Sequence, residues 1–134
     1  MDIKSLEQLE NFRSLKGTTE EKITAAENAL GLIFAKDYRS YLKQYALASM
    51  NGHELTGIVA SKRLNVADVT LRNWENNPDI SKNLYVIEEL YIDHAVAWQD
   101  EKGWVYRTIG ASEPVKNIRF FVRVCCGIKL VCIF

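Results

Sequence analysis

The residues of this chain with the reach of catalytic or metal chemistry are few: two histidines, His53 and His94, and three cysteines, Cys125, Cys126 and Cys132. His53 precedes Glu54 and His94 follows Asp93, so each imidazole has a carboxylate beside it. Either could form an acid/base pair if the fold held the two within hydrogen-bond reach. The cysteines fall within the last ten residues and have no nearby fourth donor, the closest imidazole being His94, so a zinc site is not expected from their spacing. An odd, crowded set is no secreted disulfide framework either, and reduced thiols are the expectation. No HExxH, Walker-type phosphate loop, GxSxG or GxGxxG pattern occurs. The expected chemistry is therefore that of a non-enzyme, with no catalytic residue, no metal and no cofactor.

Carboxylates offer a different possibility. Residues 68–101 carry eight acidic side chains against two basic ones, whereas residues 102–134 carry one against six. Glu88, Glu89, Asp93, Asp100 and Glu101 cluster along expected strand ends and are the candidate contact with a basic partner, because complementary fields speed association and fix its register. The competing account is a solvated surface neutralised by the basic C-terminal third. Glu27 sits among Ala25, Ala26 and Ala29. There it could accept hydrogen bonds from amides near Asn51-Gly52 and lock the junction between helices and sheet, or form part of a partner-binding cleft with Asn51. Trp74, Trp98 and Trp104 have interface chemistry, but their spacing also suits a core.

The elements that must position these groups follow from periodicity. Ile3, Leu6, Leu9, Phe12 and Leu15 recur every three residues and predict an opening amphipathic helix over 2–15, closed by Gly17. Thr18 and Glu21 fit a capping box for a helix over 19–30 with Gly31 at its C-terminus. Tyr38, Tyr41, Leu42 and Tyr45 stripe a third helix over 36–47. Asn51-Gly52 predicts a tight turn. HELTGIVA then reads as a first strand, with Gly57 marking a bulge or a close backbone approach. Asn65 caps a short helix with Val66, Val69, Thr70 and Trp74 on its inner side, ended by Asn76-Asn77-Pro78. NLYVIEE, HAVAWQD and WVYRTI form a meander of three strands. The tail IRFFVRVCCGIKLVCIF has strand propensity broken at Gly127 and is too short and charged for a membrane span.

These elements make an α+β domain, with N-terminal helices packed on one face of an antiparallel sheet of about four to six strands. At 134 residues and 48% hydrophobic content, a single domain over 1–134 can bury a core unaided. The formal net charge of zero gives no footprint of direct nucleic-acid binding. The N-terminus lacks the apolar core of a signal peptide, so a cytoplasmic location is expected.

Glu27, Leu30-Gly31, Asp37-Tyr38, Tyr41-Leu42, Asn51-Gly52 and Gly57, followed by LYVIEELYIDHAVAWQDEKGWVYR, resemble the SUKH superfamily, bacterial immunity proteins related to a fungal cell-wall-synthesis regulator. The resemblance covers roughly residues 18–118. It departs at Ala35, where the family usually has proline, and in the tail, where the family usually closes with a helix. It implies an immunity protein that binds and neutralises a cognate polymorphic toxin, in such systems often a nuclease, as a monomer or weak homodimer without a membrane. The alternatives are a regulatory or scaffold interaction domain with no toxin partner and, third, a small hydrolase.

Overall fold

The structure, a computed structural model, describes residues 3–90, 94–110 and 114–119. The chain opens with a 3₁₀ helix over Ile3–Gln8, shorter and tighter than the expected helix over 2–15. The three-residue spacing is itself the reason: in a 3₁₀ helix positions i and i+3 eclipse, so Ile3 and Leu6 point inward and are buried. Asn11 then turns the chain at φ 58° into a two-residue strand β1 (Arg13–Ser14), and Leu15 ends up exposed.

Helix α1 (Glu20–Leu30) starts one residue later than the capping-box reading placed it, with the Thr19 hydroxyl accepting from the Lys22 N–H at 3.3 Å. It stops at Gly31, which adopts the left-handed φ of 68° that a side chain resists. Helix α2 (Lys36–Gln44) ends three residues short of expectation. Beyond it the chain extends, Ala46 N–H donating to Lys16 O and Leu15 N–H to Leu47 O, and this pairing competes successfully with further helix.

Strands β2 (Ala48–Met50) and β3 (His53–Glu54) form the hairpin around Asn51 and Gly52, whose φ values of 49° and 78° are those the dipeptide accepts readily. The order β1-β2-β3 makes a small antiparallel sheet. A bridge between Leu55 and Glu88 joins it to a four-stranded antiparallel sheet, β4-β5-β6-β7, built from Tyr85–Glu89, Ala95–Gln99, Trp104–Ile109 and Val115–Arg119. The expected strand HELTGIVA is therefore only its first two residues plus this bridge. Gly57 is the close approach anticipated: a Cβ there would lie 2.0 Å from the Ala46 carbonyl oxygen.

Alternation along the strands feeds two cores. Tyr85, Ile87, Ala97 and Val105 join Ile23, Phe34, Tyr38 and Tyr41 in the principal one. Val86, Val96 and Trp98 meet Val69, Ile80 and Leu84 in a second. Helix α3 (Val66–Asn76) lies along β4, where Thr70 Oγ1 accepts from the Val86 N–H at 3.0 Å and Thr56 N–H donates to Ile87 O. The edge of β4 is thus covered, and both faces of the sheet are occupied, where the sequence pointed to one. Strand β7 takes in only Ile118 and Arg119 of the tail; residues 120–134, with the three cysteines, lie outside the described residues.

Candidate functional site

The four described acids of the sequence grouping, Glu88, Glu89, Asp100 and Glu101, do not form one surface. Glu88 is buried, 4% exposed, with Oε2 2.8 Å and Oε1 3.0 Å from His53 Nδ1. That placement removes Glu88 from any surface contact. A bulge in β4 between Val86 and Glu88 disturbs the alternation on which the surface assignment depended. Glu89 turns the other way and accepts from Arg72 Nη2 at 3.0 Å and Asn73 Nδ2 at 2.8 Å on α3. Asp93 lies outside the described residues. Asp100 organises the β5–β6 turn, accepting from the N–H groups of Lys102 and Trp104 and from the Tyr106 hydroxyl, each at 3.0 Å. Glu101 is exposed at the tip of that turn. Since Glu89, at the end of β4, pairs with Val96 and Asp100 follows the far end of β5, about 14 Å of sheet separates them.

Glu27 has a structural task in a different place from the one expected. Its carboxylate is turned to the α1–α2 linker, accepting from the Phe34 N–H at 2.8 Å and from Arg39 Nη1 at 2.6 Å. The left-handed turn at Gly31 folds the linker back over the helix and brings those donors to it. Arg39 also pairs with Glu20, as does Lys43, so one acidic face of α1 is stitched to α2. These contacts hold Glu20 below the usual carboxylate range and Arg39 above its usual value. Asn51 holds the hairpin turn, and its N–H donates to Glu10 O at 2.8 Å. Among the described residues, the hydrogen-bond partners of Glu27 and Asn51 lie in different places, the α1–α2 linker and Glu10.

The His53–Glu54 pair read from neighbouring letters dissolves, while Asp93 of the other pair lies outside the described residues. Glu54 binds Arg63 at 3.1 Å, which holds its carboxyl low, and His53 turns inward to Glu88 instead. An ionised carboxylate only accepts, so Nδ1 carries the proton, and the pairing raises the imidazole above its ordinary value against the effect of burial. Burial in turn raises the Glu88 carboxyl. His53 Nε2 is buried without a hydrogen-bond partner. His94 is exposed, on a backbone with φ 55°. Among the described residues no three His, Cys, Asp or Glu side chains gather in a group able to hold a metal ion.

A buried tyrosine network carried no sequence signal beyond the helical stripe. Thr56 Oγ1 donates to Val86 O at 2.9 Å, so the Tyr38 hydroxyl, 2.7 Å away, is the donor to Thr56. Tyr41 donates to Thr56 O and accepts from the Ala48 N–H. Tyr85 donates to Gln99 and accepts from the Ala35 N–H. Burial raises the phenols of Tyr38 and Tyr85 far out of the physiological range, which makes them neutral fasteners between α2 and the sheet.

What remains at the surface near the acids is a cleft of about 650 Å³ between the α1–α2 linker and the β5–β6 turn, lined by Leu32, Ile33, Asn83, Asp100, Glu101 and Tyr106. Ile33 is 55% exposed there, an apolar side chain beside two carboxylates. Nothing in the apolar run Leu32-Ile33-Phe34 between two helices marks Ile33 out; of the three, only Phe34 is deeply buried.

The profile of the SMI1-KNR4 cell-wall family, designated SUKH_5, matches residues 2–102. No curated protein sequence matches the chain. Among solved structures, a crystal structure of a protein from Pseudomonas syringae pv. tomato superposes with a TM-score of 0.68 at 14% identity, over 84% of this chain and 86% of that one. At that identity the likeness is one of fold.

Proposed function

The chain belongs to the SMI1-KNR4 cell-wall family of SUKH domains, and from that premise we propose that it is an immunity protein that binds a cognate bacterial toxin and neutralises it by stoichiometric occlusion. Membership of the family points to interaction with another protein as its work. The observation that carries the reading to a place on the molecule is Ile33, exposed beside Asp100 and Glu101 in an open cleft. An apolar anchor rimmed by carboxylates is the kind of patch that concentrates binding energy, and it suits a toxin whose active cleft is basic, as a nuclease's is. Occupying the phosphate sites of such an enzyme with side chains blocks its substrate. A standard interface takes roughly 800 Å² from each partner, about a tenth of the 7387 Å² surface, so this one end suffices.

In this reading the protein acts without cofactor or turnover, in the cytoplasm where the toxin arrives. Among the described residues no helix is long and apolar enough to cross a membrane. The test is co-purification with the toxin encoded beside it, together with rescue of cells expressing that toxin. Binding and rescue lost in Ile33→Asp, with folding intact, support the reading; a toxin bound equally well by that variant places the contact elsewhere and removes the proposed face.

A further inference from the structure

Strand β1 (Arg13–Ser14) is the outer strand of the small sheet β1-β2-β3, and both of its residues are exposed. Leu15 N–H donates to Leu47 O at 2.9 Å, and Arg13 faces Ser49 in the same antiparallel register. Main-chain groups alternate sides along such a ladder, so those of Ser14, between the two, point away from β2. They have no hydrogen-bond partner among the described residues.

The outward face beside this edge offers room for a side chain. A hollow of about 160 Å³ lies over β1 and β2, lined by Arg13, Leu15, Leu47, Ser49, Glu54 and Leu64. Its volume is that of a cavity able to take a benzene-sized apolar group. Leu15 is 53% exposed on the rim, an apolar side chain left uncovered next to an open strand edge. The surplus charge here is positive. Arg13 and Lys16 are exposed and make no ion pair among the described residues, whereas Glu54, the one acid of the lining, is already held by Arg63 at 3.1 Å.

An unpaired main chain, an apolar hollow and unpaired cations on one surface are the parts that recognition by strand addition uses, the main-chain bonds giving affinity and the side-chain sites selectivity. We propose that β1 takes an extended acidic segment of a partner protein as an added antiparallel strand. One residue of that segment exchanges both main-chain bonds with Ser14, its neighbour opposite Leu15 fills the hollow, and a carboxylate opposite Arg13 accepts from the guanidinium. Cations at an edge guard a sheet against pairing with its own kind. A second copy of this chain brings two Arg13 and two Lys16 side chains to one seam, while an acidic strand meets the same cations favourably. The site shares no residue with the Ile33 cleft and stands whether or not the toxin reading holds.

The test is a nuclear magnetic resonance titration of the full chain with acetyl-Thr-Leu-Thr-Glu-Thr amide, following the main-chain amides of Ser14 and Leu15. Two comparison peptides isolate the parts: one is N-methylated at the central threonine and cannot donate to Ser14 O, and the other has lysine in place of glutamate. Saturable shifts with the acidic peptide, weakened roughly tenfold by the N-methyl group and weakened also in Arg13→Glu, are the expected result. Absence of saturable shifts, equal affinity for either comparison peptide, or unchanged affinity in Arg13→Glu overturns the proposal. Shifts at Ser14 that grow with protein concentration in the absence of peptide assign the edge to a second copy and overturn it as well. The comparison peptides leave the protein unaltered, so the outcome does not depend on the folding of the variant.

Discussion

His53 Nδ1 and Glu88 Oε2 stand 2.8 Å apart with both side chains 5% exposed, so the hairpin that carries Asn51 is tied to β4, the first strand of the larger sheet, by a buried, proton-bearing pair. The backbone bridge between Leu55 and Glu88 runs through the same place. Small sheet and large sheet are therefore joined by this ionisable pair together with the main-chain and Thr56 hydrogen bonds to β4.

The pair makes stability depend on pH in one direction. Folding raises His53 above its ordinary 6.5 through the Glu88 hydrogen bond, so its contribution is complete below that pH and is lost as pH rises through the folded value. Burial raises Glu88 above 4.5, so the folded chain also keeps that proton longer than the unfolded one. Both groups make the native state bind more protons, and stability falls with rising pH. Urea unfolding from about pH 5 to 9 should show this decline, and Glu88→Gln should flatten it. An identical pH slope in that variant would sink the assignment.

Glu27→Ala should be far more damaging than Glu20→Ala, although both remove a partner of Arg39. Glu27 also satisfies the buried Phe34 N–H, and stranding that donor together with the partly buried guanidinium costs about 2 kcal/mol or more. Glu20 is half exposed, and its pairs are screened by solvent. Denaturant midpoints of the two variants decide this, and equal losses would contradict it.

Gly57→Ala should be among the most destabilising single changes available. The added Cβ would sit 2.0 Å from the Ala46 carbonyl oxygen, against backbone that cannot rotate aside, and the Ile58 N–H to Ala46 O bond at 2.8 Å holds that contact in register. A loss on the order of 3 kcal/mol or more is expected. Thermal unfolding that left the midpoint unchanged would show that the 55–58 segment is not fixed there.

Association with a basic partner should be slower, and its salt dependence weaker, in Glu101→Lys. Glu101 is the exposed acid of the β5–β6 turn, and reversing it removes attraction without touching the turn itself, which Asp100 holds. Stopped-flow association at two ionic strengths reads the effect. Unchanged rates would exclude this turn from the interface.

Much of the fold was legible because it is written locally. Gly31, Asn51-Gly52 and the Tyr38/Tyr41 stripe act through their own backbone or their own helix face, and each stands where its chemistry puts it; Asn65 holds the N-cap position of α3, but its side chain accepts from the Val59 N–H and donates to Asp68 rather than capping the helix. The opening helix misled because a three-residue spacing serves a 3₁₀ turn as well as a longer helix. The acidic site was harder to foresee. Whether Glu88 faces solvent depends on a bulge, and its partner His53 is 35 residues away, so no local pattern separates it from Glu89. Glu27 was recognised as a lock, but its donors are fixed by the path of a linker that composition does not encode. Ile33 was hidden in an apolar run whose neighbours are core.

The claim at the centre of this account is that the protein works by occluding another macromolecule. Calorimetric titration with the purified toxin encoded beside it, with toxin activity assayed in the same samples, tests that most directly. The account predicts one-to-one binding, with activity falling in proportion to the complex formed. Binding with undiminished toxin activity, or a toxin inactivated by catalytic amounts of this chain, would contradict it.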